Sequence, residues 1–331
     1  MDERIATPKE LQKRIRRGIR TALVAGGSAT RVELSEKLGI SFPTVSKFIT
    51  HMEQAGELLS VGLDDSSGGR RAQRYAYNPD FQLGATLFLE RSETQYMIYN
   101  AFGEVKEKGR SAGFLQEGID IVVKQVESLV ERHPRIRSLA FGLPGAVNDG
   151  RIIYIPGYEK FQSFDLKGYC EARFSLPVVV ENDMNAAVLG YYEKLDQREN
   201  PSLVYLYFGQ NGPGAGILVN GQVLRGSTSF SGEVSFVPLY DSRTFGEALT
   251  SAGLDAVSRL VAVFTAILNP NTVIFSRDEV TQELLDAIAT RSASYIAKEH
   301  LPKLTASDWQ EDYLNGLKRL GLNLIIAADA D

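Results

Sequence analysis

Within the first 56 residues, three helix-length segments are each opened by a capping signal and closed by glycine, which restricts this stretch to a small helical module. Thr7-Pro8-Lys9-Glu10 sets Thr at the cap, Pro at the first helical position and Glu at the third. The Leu11, Ile15, Ile19, Leu23 stripe then runs at helical spacing to Gly26-Gly27. Thr30-Arg31-Val32-Glu33 repeats the box ahead of a short helix with Val32, Leu34 and Leu38, which Gly39 ends. Ser41 is expected to cap a third helix, with Pro43 in its first turn, running to about Ala55. A short helix, a tight Gly-containing turn and a second helix form the helix-turn-helix pattern.

In such a unit Val45, Ile49 and Met52 form the buried stripe of the third helix, leaving Thr44, Ser46, Lys47, Thr50 and His51 as candidates to face bases and phosphates. A solvated polar face is the plainer alternative. Leu58–Val61 reads as a strand and Gln73–Tyr77 as its return partner, joined by Asp64-Asp65-Ser66-Ser67-Gly68-Gly69-Arg70-Arg71. A hairpin tip with Arg70, Arg71 and nearby Arg74 beside a recognition helix suits the wing of a winged helix, and tips the balance toward duplex DNA. Charge agrees. The formal net charge is -5, yet residues 1–80 hold 13 Lys+Arg against 10 Asp+Glu, and the rest 23 against 31. A basic module precedes an acidic body.

The body, from residue 81, alternates strand and helix patterns, with strands expected at Leu83–Leu89, Gln95–Tyr99, Ser138–Phe141, Val178–Val180, Leu203–Phe208, Gly216–Val219 and Thr272–Phe275, and a helix near Ile121–Arg132. The expected division is therefore 1–80 for DNA binding and 81–331 for an α/β body. One cysteine, Cys170, excludes an intrachain disulfide and a cysteine-rich zinc site; His51, His133 and His300 have no metal-ligand spacing. No metal or cofactor is expected. The N-terminus lacks the apolar region of a secretory signal and no apolar run approaches a membrane span, so a cytoplasmic protein is expected. The last residues, Ala327–Asp331, read as a tail.

Phe141–Gly145, Leu176 through Glu181-Asn182-Asp183-Met184-Asn185-Ala186-Ala187, and Gly226 through Gly232-Glu233-Val234 resemble, in this order, the ROK family of sugar kinases and sugar-responsive repressors. The repressor branch also carries an N-terminal winged helix with a Ser-Gly-Gly-Arg-Arg wing, as at Ser67–Arg71, so the resemblance spans the chain. It implies an actin-like, ribonuclease-H-like body of two lobes around a sugar cleft. At that cleft it places Asn182 and Asp183, the latter at the position of the kinases' general base, together with Glu233 and Glu247 as sugar-contacting glutamates and Phe236 where the family has a zinc-binding, sugar-touching histidine.

The departures from the kinase pattern concern the nucleotide and metal. Phe88-Leu89-Glu90-Arg91-Ser92 stands where the kinases have an Asp-x-Gly-x-Thr phosphate loop, and Ser276-Arg277 replaces a nucleotide-contacting Gly-Gly. Gly209–Gly216 keeps its glycines, as a phosphate cradle or a plain tight connection. The cysteine-rich zinc loop is missing. The expectation is a homodimeric DNA-binding regulator, a repressor, whose catalytically dead body senses a neutral or amine-bearing sugar or a polyol. Two rivals stand beside it: a body that only dimerises or docks a protein, and an active sugar kinase.

Overall fold

The computed structural model describes residues 7–64, 71–90, 93–113, 118–155, 158–195, 200–209 and 212–327. The head begins with α1 (Pro8–Gly26), β1 (Ser28–Thr30), α2 (Arg31–Leu38) and α3 (Phe42–Gln54), followed by β2 (Leu58–Leu63) and β3 (Gln73–Tyr77). The first two helices carry the full capping boxes, Thr7 with Glu10 and Thr30 with Glu33. Gly39 closes α2 at φ +63°, where a β-carbon would be strained. Ser41 occupies the cap of α3 but makes no capping bond; its hydroxyl lies 2.8 Å from that of Thr44. Leu34, Val45, Ile49 and Met52 are fully buried, each contributing about 1.5–3 kcal/mol of burial. The three strands form one antiparallel sheet in the order β1-β3-β2, making a winged helix.

The body is built on one five-stranded sheet used twice. Its first half contains β4 (Leu83–Leu89), β5 (Glu93–Asn100), β6 (Val105–Ala112), α4 (Ile119–Arg132), β7 (Ile136–Leu143), the hairpin β8 (Ala146–Asn148) and β9 (Arg151–Tyr154), α5 (Leu166–Phe174), β10 (Val178–Asn182) and α6 (Asp183–Glu193). The second contains β11 (Leu203–Tyr207), β12 (Gly214–Val219), β13 (Gln222–Val223), the hairpin β14 (Pro238–Tyr240) and β15 (Arg243–Thr244), α7 (Phe245–Leu268), β16 (Thr272–Ser276), α8 (Gln282–Ser292), β17 (Lys303–Ser307) and α9 (Trp309–Ala327). The sheet orders are β10-β7-β4-β5-β6 and β13-β12-β11-β16-β17. In each, the first three strands in sequence are antiparallel and the last two join in parallel. This duplicated topology is the actin-like, ribonuclease-H-like α/β architecture.

Three further apolar clusters organise the body. One lies between the first sheet and α4, α5 and the β8–β9 hairpin, another between the second sheet, α7 and α8. The third is the layer between lobes, where Ala186 and Val188 of α6 and Trp309, Tyr313 and Leu317 of α9 meet Phe88 from one sheet and Tyr205, Leu218 and Ile274 from the other. Helix α7 is long and apolar enough to cross a bilayer, but Ala256, Leu260, Val261 and Phe264 pack in the second lobe's core. Beyond the expected elements, β1, β6, β17 and α5 through α9 complete the fold. The head is seated directly on the body: its core residues Ile15, Ile19 and Leu23 form one cluster with Met97, Tyr99, Ala101 and Ile325.

Candidate functional site

Most of the site residues expected from the sequence fall on the outer face of α3, at the wing or in the cleft between lobes. On α3, Lys47 and His51 are exposed, and Thr44 is half-buried beside Ser41. Thr50 turns inward: its hydroxyl donates to the Ser46 carbonyl at 2.9 Å and accepts from Arg31 Nη2 at 3.3 Å. The Ser46 hydroxyl is buried with no partner among the described residues. Thr50 thus engages α2 and its own helix, and neither hydroxyl is directed outward with Lys47 and His51. At the wing, Arg70 lies outside the described residues, as do Asp65–Gly69, and Arg71 is exposed.

Arg74 is also reassigned. Its guanidinium pairs with Asp64 at 2.6 Å and Glu33 at 3.1 Å and donates to the Ser28 carbonyl at 3.0 Å. It ties the wing to β1 and α2, so its donors are directed into the head. A second strut, the buried Arg20–Glu57 ion pair, joins α1 to the root of β2.

The cleft is assembled from strand ends and one helix start. Asn182 ends β10 and caps α6, accepting the Asn185 N–H at 2.9 Å while its own amide donates to the Gly145 carbonyl at 2.8 Å and to Asp183 at 2.9 Å. Asp183 Oδ1 also accepts the Met184 N–H at 2.8 Å. Burial, and after it the facing charges of Glu90 and Glu233, hold the Asp183 carboxyl well above the usual carboxylate range. Burial likewise raises Glu233. Glu181 is paired with Arg225 and accepts from Asn185 Nδ2 at 3.1 Å, while buried Asn185 Oδ1 has no donor among the described residues. Ser229, Ser231, Tyr207 and Pro144-Gly145 complete the wall. Among the described residues no cation lines the hollow, so their side chains offer chiefly oxygen acceptors, matched to a ligand rich in hydroxyl donors. The hollow has about 560 Å³ of empty space, part of it open to solvent.

Asn182, Asp183 and Glu233 therefore come together, but Glu247 and Phe236 do not join them. Glu247 is exposed at the start of α7, where it closes a capping box with Thr244, accepting its N–H at 2.8 Å. Phe236 is 54% exposed and its ring contacts that of Phe230 at 5.4 Å. A short 3-10 turn over Val234–Phe236 carries the phenyl out of the hollow.

Sequence reasoning missed the aromatic groups packed beneath the cleft and the carboxylate behind β11. Tyr207 stacks flat on Trp309, with ring centroids 4.1 Å apart, and Phe88 meets Tyr313 edge-on at 4.2 Å. Both oxygens of Glu279 accept the Phe208 N–H, at 2.9 and 3.1 Å, and burial pushes that carboxyl up to about 7. The glycine-bearing loop after β11, of which Gln210-Asn211 lie outside the described residues, thus begins with its backbone donor already occupied by a carboxylate. Arg91-Ser92 of the replaced phosphate loop also lie outside them. Among the described residues no cluster of His, Cys, Asp or Glu is arranged to hold a metal.

The winged-helix head, duplicated lobes and carboxylate-lined cleft define a regulator architecture on a sugar-kinase-type body. The chain belongs to the ROK family, whose profile matches residues 92–298, more than half its length. It is 27% identical over 220 residues to the xylose repressor of Caldicellulosiruptor bescii, covering 62% of this chain and 53% of that one. To the xylose repressor of Bacillus subtilis it is 21% identical over 218 residues, covering 63% and 56%. These matches span little more than half the length of those relatives. A solved ROK family transcriptional regulator, a homologue of the Escherichia coli Mlc protein, superposes with TM-score 0.70 at 17% identity over 96% of this chain and 99% of that one. A ROK glucokinase from Streptomyces griseus, solved with glucose and AMPPNP, covers 73% of this chain and 99% of its own with TM-score 0.54 and 17% identity.

Proposed function

We propose that this protein is a transcriptional repressor that binds duplex DNA as a homodimer through residues 1–80, and that its body, residues 81–331, senses a sugar in the interlobe cleft without phosphorylating it. The observation that carries the reading is the winged helix sharing one hydrophobic core with a cleft-bearing, kinase-type body. Lys47, His51, Thr44 and Arg71 are the groups best placed for DNA, with Arg70 assigned from sequence alone. Asn182, Asp183, Glu233 and Asn185 are those best placed for ligand hydroxyls. The xylose repressors among the relatives make D-xylose the first probe.

Loss of catalysis is supported by Glu279 on the Phe208 N–H, because its oxygens already occupy a backbone donor at the start of the glycine-bearing loop, where a kinase offers such donors to phosphate. Calorimetry with magnesium-ATP is expected to be flat, and no hexose or pentose is expected to be phosphorylated above an Asp183→Ala control. Turnover above that control refutes this part. The placement of Glu247 and Phe236 outside the hollow favours one second reading, a body that only dimerises or docks a protein. Thermal-shift measurements with D-xylose and a panel of sugars and polyols separate the two: stabilisation supports sensing, and none across the panel supports docking.

A further inference from the structure

Helix α9 touches everything a ligand-responsive head needs to have linked. At its first turn Trp309 stacks on Tyr207, which lines the cleft from the second lobe, while Tyr313 lies under Phe88 of the first. The Tyr313 ring is fully buried, its hydroxyl has no partner among the described residues, and the charges of Asp183, Glu90 and Glu181 bear on it. The N-terminal end of α9 is therefore held by both lobes at the floor of the cleft. Any change in the angle between lobes must alter one of these two ring contacts or move the helix.

Midway, α9 is welded to α6, the helix that begins at Asp183. A β-carbon on Gly190 would lie 1.8 Å from the Asp312 carbonyl oxygen, and one on Gly316 would lie 1.8 Å from that of Ala186. The backbones touch, so no side chain is left between them to absorb a shift. Buried Asp312 adds two polar ties, accepting from Tyr205 at 3.0 Å and pairing with Lys194 just beyond α6 at 2.6 Å. Close-packed interiors respond to displacement by moving as bodies, not by local yielding.

The far end of α9 lies in the head. Ile325 is buried in the cluster that holds Ile15, Ile19 and Leu23 of α1 together with Val45 and Ile49 of α3, and Leu322 packs beside it. The sixteen residue steps from Trp309 to Ile325 carry this contact about 24 Å from the cleft floor. We propose that α6 and α9 form one rigid pair through which the cleft sets the position of the DNA-binding head, Trp309 being the input and Ile325 the output. The inference rests on the regulator reading above, and names the route by which that cleft acts.

A double-mutant cycle read on DNA affinity tests it, using an operator duplex selected by the wild-type protein from a random library. Trp309→Leu touches neither the head nor DNA, and we expect it to change the Kd at least fivefold. In an Ile325→Ala background the same substitution is expected to change the Kd less than twofold, because the helix no longer grips α1. A conservative Ile325→Val variant, which keeps the contact and guards against unfolding, is expected to preserve the fivefold effect. Equal Trp309→Leu effects in the wild-type and Ile325→Ala backgrounds, or no effect in either, overturn the proposal. A separate arm adds saturating D-xylose to the wild type: an unchanged Kd there, alongside an intact Trp309→Leu effect, rejects xylose sensing while retaining the α6–α9 route.

Discussion

Asp183 is buried at a helix start with Glu90 and Glu233 bearing on it, and its carboxyl is raised for that reason. A raised carboxyl binds more protons in the native than in the unfolded state, so its contribution is most favourable below the ordinary carboxylate range and declines as pH climbs toward the native value. Asp183→Asn keeps an oxygen for the Met184 N–H and removes the ionisation. Its Tm is expected to exceed that of the wild type at pH 8 by a few degrees, with the two converging near pH 4. A lower Tm for the variant at pH 8 contradicts the assignment. At the other end of the molecule, Glu57→Ala removes the buried carboxylate paired with Arg20, with an expected loss of about 1.5–3 kcal/mol in urea unfolding. A loss under 1 kcal/mol places that pair in contact with solvent. Asn182 and Asp183 were legible as cleft residues only through the family resemblance, which their contiguous Glu-Asn-Asp-x-Asn-Ala-Ala run carries. Arg74 was not legible as a strut, since its partners Ser28, Glu33 and Asp64 come from three separate segments.

Helices and strands were legible where caps and periodicity act within a few residues. The Thr-x-x-Glu signal marks α1 and α2, and both boxes form. The same signal stands at Thr244-Phe245-Gly246-Glu247, where family resemblance drew attention to a sugar contact and the local physics makes a cap. Glu247→Ala is accordingly expected to lower stability by about 1 kcal/mol and to leave sugar-induced stabilisation unchanged. A variant that loses the ligand response with normal stability returns Glu247 to the cleft. Helix α9 shows the limit of reading from sequence. Its pattern says helix, but its destinations at Tyr207, Ala186 and α1 are long-range contacts that no local period encodes.

At the scale of the molecule, the fold class followed from motif order, and the duplicated sheets bear it out. The association of the head with the body did not, because the contacts that join them in one shared core, from Ile15, Ile19 and Leu23 to Met97, Tyr99 and Ile325, are long-range and leave no local signal. That shared core makes DNA affinity a property of the whole chain. Its surface is divided in charge, with a basic head and an acidic body, so DNA approach is favoured at one end. The central claim is that this end binds duplex DNA through α3 and the wing. Fluorescence anisotropy on the selected operator, repeated across salt concentrations with the wild type and a Lys47→Ala/Arg71→Ala variant, tests it most directly. Each lost phosphate contact reduces the slope of log K against log salt by about 0.9. The account predicts binding at least tenfold weaker and a slope shallower by about two for the double variant; wild-type affinity and slope in that variant would contradict it.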